Sequence, residues 1–204
     1  MKKLLLLAGI AMLASFAAPS GTLSKKERKF AVSYLKDTRN DLAKTIAGLS
    51  EAQLNFKPAP DRWSVKECVF HIALAETSLR QYVDATMNAP ANPDKRADIK
   101  MTDEQVINGV SDRNHKAKAP DQIDPDKSAK WGTVSEALQA FETNRDNLID
   151  YIKNTSGDMR NHVALQTPMG ALDAYQLVLL LSSHTNRHIQ QIKEVKADPK
   201  FPSM

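Results

Sequence analysis

His184-Thr185-Asn186-Arg187-His188 places two imidazoles four residues apart, one turn above each other on the same face of a helix. That face is apolar, because Leu177, Leu181, Ile192 and Val195 continue it in steps of three and four. Both rings are therefore expected to point into a core. His71 interrupts a second stripe of the same kind, between Cys68 and Ala75. Burying an unpartnered imidazole costs about 1 to 3 kcal/mol, and charged rings close together would also repel. A divalent transition metal removes both problems, since neutral imidazole ligates such ions at roughly 2.0 to 2.1 Å. Three protein ligands leave coordination positions open, which is the pattern of catalytic rather than structural sites. Because only the neutral ring binds, occupancy is expected to fall as the pH drops through about 6. A hydrogen-bonded histidine network without an ion is the alternative left open by the spacing.

Neighbouring residues offer less. Glu67 lies one turn before His71 and has two competing roles, a helix cap and a partner for the His71 ring. Arg187 sits beside the histidine face, either as a solvated helix charge or as a contact for an anionic substrate. Cys68 reads first as core packing beneath Trp63 and only second as a ligand or redox group. His115 falls in a polar stretch and His162 in a connection, so surface positions are expected for both. The chain has no G-x-G-x-x-G, phosphate loop, G-x-S-x-G elbow or paired carboxylates on a shared face. The metal is the only chemistry that these residues offer.

Four long amphipathic segments must position the histidines. Phe30, Ala31, Tyr34, Leu35, Leu42, Ile46 and Leu49 form one stripe within Leu23 to Leu49, and Pro58 and Pro60 forbid its continuation. Ser64 and Glu67 make a capping box for a second helix, with Trp63 and Cys68 as its hydrophobic staple. A third helix is expected over Val134 to Lys153. The fourth opens after Pro168-Met169-Gly170, with Asp173 at its positive end, and stops before Asp198-Pro199. Asn88 to Gly132 carries Pro90, Pro93, Pro120 and Pro125 and reads as a long crossover too polar for the core, with one short helix at Asp103 to Val110. No alternating β-branched runs with tight turns are visible. The expected fold is all-α, a four-helix bundle with a long crossover between helices 2 and 3.

Composition narrows the partners. Lys and Arg exceed Asp and Glu by 28 to 24, and two of those cations, Lys2 and Lys3, precede an uncharged run from Leu4 to Ala18. That order is the order of a secretory signal. Residues 1–18 are expected to be removed, leaving 19–204 as one domain with no stable membrane anchor, exported to the bacterial periplasm or beyond. A lone cysteine suits an oxidising compartment, where it has no internal partner. The small remaining charge and the scattered aromatics exclude nucleic acid as a partner. The expected partner is a small-molecule substrate of unknown identity. A homodimer through the outer bundle face stays open, although no exposed apolar stripe demands one.

Two segments carry a family resemblance. Leu49 to Glu67, leading to His71, resembles the first half of the DinB-like superfamily, and His184 to Ile192 resembles its closing helix. Their order is also that of the family, and the similarity extends from about Leu23 to Val195. The resemblance implies an up-down-down-up bundle and a three-histidine metal site at His71, His184 and His188. It further implies zinc or nickel as the ion and a thiol S-transferase or isomerase type of activity, beside which the open metal site itself also admits a hydrolase. Many relatives have no assigned reaction, so a non-catalytic metal-binding or stress-associated module is the alternative. Export departs from the cytoplasmic habit of the thiol-dependent enzymes.

Overall fold

The computed structural model describes residues 21–114 and 118–203. The expected signal segment and His115 lie outside these residues. Four long helices form the body: α1 (Lys25–Ile46), α3 (Val65–Asn88), α6 (Val134–Asn154) and α7 (Ala174–Lys196). Each begins with a reciprocal capping box, made by Ser24 with Glu27, Ser64 with Glu67, Thr133 with Glu136, and Asp173 with Gln176. In each, two of the otherwise unpaired groups at the helix start are satisfied by residues three apart in sequence.

The first helix is shorter than its apolar stripe. It stops at Ile46, Gly48 takes φ +73°, and Glu51–Asn55 forms a separate short helix, α2. A left-handed residue there is the usual helix stop and is cheapest for glycine.

α1 and α3 each pack against both α6 and α7. Partners run in the same order along α1 and α7: Tyr175 to the Glu27 carbonyl at 3.0 Å, Tyr34 with Ser183 at 3.1 Å, and Lys193 to Asp41 at 2.9 Å. They run in opposite order along α1 and α6, where Arg28 reaches the Ile152 carbonyl and Arg39 pairs with Asp146. Along α3 and α6 the order is again shared, since Glu76 meets Arg145 and Arg80 lies over the Tyr151 ring.

The core has two apolar clusters. Leu35, Val83, Leu148 and Leu181 belong to one, and Leu42, Ile72, Phe141 and Ile189 to the other. A polar layer lies between them along the helices. The wholly buried Arg145 donates to both carboxylate oxygens of Glu76 at 2.8 and 2.7 Å, to Thr38 at 2.6 Å, to Thr185 at 2.8 Å and to the Leu35 carbonyl at 3.0 Å. All four long helices contribute to this layer.

Two expectations are corrected. The chain does contain strands: β1 (Val163–Thr167) and β2 (Gly170–Asp173) form an antiparallel hairpin leading into α7. Its turn is Pro168-Met169, closed by Gly170 at φ +85° and by Thr167, whose hydroxyl donates to the Gly170 carbonyl at 2.7 Å. Four- and five-residue strands without a β-branched alternation leave no period-2 signal to read. The helical bundle itself stands. The crossover, in turn, is not excluded from the core. Within it α4 (Asp103–Ser111) packs on α7 and buries Val106 completely, while a 3-10 turn at Asp121–Ile123 and a short α5 (Pro125–Ser128) pack against α3.

Candidate metal centre

α3 and α7 bring His71, His184 and His188 together, and each ring presents one nitrogen in a group whose members lie within 4.8 Å of one another. Ring centroids are 5.0 Å apart for His71 and His184, 4.4 Å for His71 and His188, and 4.6 Å for His184 and His188. The Nε2 atoms of His71 and His184 are 3.2 Å apart. Two nitrogens bound to one ion at roughly 2.0 to 2.1 Å stand about 3 Å apart, so this pair already has a coordination spacing.

The outer nitrogens show which atoms are available. His71 Nδ1 is 2.7 Å from the Ile123 carbonyl, an acceptor only, so Nδ1 carries the proton and Nε2 the lone pair. His188 Nδ1 is 2.9 Å from Gln191 Oε1, which gives the same tautomer. Both partners are neutral, a common arrangement behind metal-bound histidines.

Burial sets the proton affinity. Exclusion of water from the cationic form pushes all three rings below their ordinary value, with His184 down to about 3. The neighbouring rings lower His184 and His188 further. The Ile123 carbonyl and Asp124 oppose the shift at His71 without reversing it. The rings are thus held in the ligating form below the pH near 6 expected from free imidazole.

Trp63 closes one side, its ring centroid 4.7 Å from His71 and 5.9 Å from His188. Sequence reasoning gave this residue only a packing role over Cys68. His71 and His188 are 3% and 6% exposed and His184 is half-buried, so His184 is the least covered of the three residues.

Several candidates fall elsewhere. Glu67 does not touch His71: it caps Ser64 N at 2.7 Å and pairs with Lys57 at 2.5 Å. Burial raises its carboxyl, but the bonds from Lys57 and Ser64 outweigh that and hold it below the ordinary value. Cys68 is buried outside the cluster, and burial pushes its thiol up, away from the reactive thiolate. His162 is half-buried against the Asp158 carbonyl at 2.7 Å, in the connection before β1. Arg187 is half-buried on α7, and its charge bears on His184.

Residues 34–192 match the DinB superfamily. The chain belongs to that superfamily. It is 25% identical over 165 residues to YuaE of Bacillus subtilis (strain 168), named an uncharacterized protein, covering 81% of this chain and 96% of that one. A solved structure, YfiT from Bacillus subtilis, shares the fold at a TM-score of 0.59 and 14% identity, over 88% of this chain and 91% of its own. It is described as "a probable metal-dependent hydrolase with an unusual four-helix bundle topology".

Proposed function

We propose that this protein is a metal-dependent enzyme that holds one divalent transition ion through Nε2 of His71, His184 and His188 and acts on a small molecule. The observation that carries the reading is the pairing of three clustered ring nitrogens with neutral acceptors behind two of them, at Ile123 and Gln191. An all-imidazole donor set fits zinc or nickel, and three protein ligands leave room for a further one. When bound, the ion would supply Lewis acidity and an acidified water or thiolate as nucleophile. The chain's own part is to keep the protons on the outer nitrogens, to shield His71 and His188 behind Trp63, and to admit the substrate beside His184.

Hydrolysis is the preferred reaction and thiol transfer the second. The description given to YfiT supports the first. Export, which we propose from residues 1–18, would weigh the same way, since a low-molecular-weight thiol is chiefly a cytoplasmic cosubstrate. A reading without turnover, as a metal-binding module, draws on a different observation. A cleft of about 780 Å³ lies not at the histidines but around Arg96, Asp103, Arg160 and Asp173. Asp173 caps α7 eleven residues before His184, about 16 Å along the helix axis.

Elemental analysis of protein purified without a histidine tag is the test. Wild type should carry one equivalent of metal, and His184→Ala with His188→Ala should carry none while keeping its helical spectrum. Full metal content in that double variant would defeat the ligand assignment. Ester hydrolysis and thiol conjugation assayed with and without the ion then separate the two reactions, and absence of both favours the module.

A further inference from the structure

The outer nitrogen of His188 is backed by a side-chain amide, and an amide can be turned either way. With its oxygen toward the ring, Gln191 accepts from Nδ1–H and leaves Nε2 with a lone pair. With its NH₂ toward the ring, it would donate to Nδ1 and place the ring proton on Nε2, where it blocks a metal. The amide alone does not choose.

A third residue makes the choice. Arg113, just after α4 in the crossover, approaches the same Gln191 Oε1 at 3.4 Å through Nη1. A guanidinium has only donors, so whatever faces it must accept. Arg113 is itself fixed by a fork to Glu194, with Nε to Oε1 at 3.1 Å and Nη2 to Oε2 at 2.9 Å. Such two-point pairing sets the guanidinium plane as well as its position.

We infer that Arg113 is a positioning residue of the metal centre: by keeping the Gln191 oxygen turned toward His188, it fixes that ring as the Nδ1–H tautomer and frees Nε2 to ligate. The inference rests on the ligand set proposed above. It also gives the crossover a function. Ile123 supplies a backbone carbonyl behind His71, and Arg113 acts through Gln191 behind His188. Two of the three rings are thus oriented by a segment that contributes no ligand.

The contact between Nε2 of His71 and Nε2 of His184 is consistent with this arrangement. His71 Nε2 carries a lone pair, so in the metal-free protein His184 donates its Nε2 proton across the 3.2 Å gap. Its tautomer is the one that must change when the ion enters.

The test uses ¹⁵N-histidine NMR of the metal-free protein, which reads each tautomer, and zinc affinity by chelator competition. Wild type should show His188 as Nδ1–H. Arg113→Met should give a mixture of tautomers and weaken zinc binding about tenfold. Gln191→Leu should do the same, whereas Arg113→Lys, again only a donor, should retain most of the affinity. Arg62→Met is the control, because Arg62 approaches Glu194 at 3.8 Å and is not hydrogen-bonded to Gln191. It should leave both readouts unchanged. Arg113→Met with His188 still Nδ1–H and zinc affinity intact would overturn the inference, as would an equal loss in Arg62→Met, which a mere change of charge would produce. If wild type takes up no zinc, the ligand assignment fails, and the metal-free tautomers still decide the role of Arg113.

Discussion

Removing Glu76 should destabilise this protein about as much as emptying a large core position, and removing Arg145 as well should recover most of the loss. In Glu76→Leu the Arg145 guanidinium, wholly buried, keeps the Leu35 carbonyl, the Thr38 and Thr185 hydroxyls and the Phe141 ring face, but no anionic partner. An uncompensated buried charge of this kind costs about 3 to 5 kcal/mol. For a domain of this size each kcal/mol moves the thermal midpoint by about 2 to 4 °C, so a fall of roughly 6 to 20 °C is expected. The double variant Glu76→Leu with Arg145→Met removes both charges. It leaves no orphaned hydroxyl, because Thr38 already donates to the Tyr34 carbonyl at 2.9 Å and Thr185 to the Leu181 carbonyl at 3.3 Å. The double variant should therefore lie within about 1 to 2 kcal/mol of wild type. Urea unfolding followed by circular dichroism measures the cycle. A single variant that costs under about 1 kcal/mol, or a double variant as unstable as the single, would refute the view of this layer as a closed charge pair.

Two more perturbations test other parts of the account. In the metal-free protein the three histidines are held below their ordinary values, so between about 6.5 and the folded values the unfolded chain binds more protons than the folded one. Stability is complete above about pH 6.5 and is lost as the pH falls, by about 1 kcal/mol per unit for a well-buried ring such as His188. Unfolding midpoints at pH 7 and pH 5 for wild type and His188→Gln isolate that ring, and an identical pH response in the two would contradict its burial as a neutral group. Gly170→Ala places a side chain where nothing lies within 4 Å of its Cβ, so any cost comes from φ +85° alone. A loss of about 1 to 2 kcal/mol is expected, and a neutral substitution would mean that the hairpin turn relaxes freely.

Much of the candidate site was readable because helices write their faces into the sequence. His184 and His188 are four apart within an apolar stripe, and His71 stands where a core residue belongs. The capping boxes at Ser64 and Thr133 fix two helix starts, and Asp173 with Gln176 fixes a third. Gln191 was within reach of the same reasoning, three residues after His188 and so on the same side. Trp63 is legible for only part of its surroundings. As the residue before an N-cap it was assigned to the staple, and nothing local says that its ring will lie over histidines from two helices.

What the sequence by itself determined is whatever repeats within one or two helical turns: four amphipathic helices, their caps, and the inward direction of three imidazoles. What only the tertiary structure decided is which distant groups complete those imidazoles. Ile123 is 52 positions from His71 and offers a backbone carbonyl, which every residue has and no pattern marks. Arg113 and Gln191 are 78 apart, and their meeting depends on α4 packing against α7. Periodicity acts through bonds along the chain, whereas the partner of a ring nitrogen is set by which folded-back segment lies nearest in space.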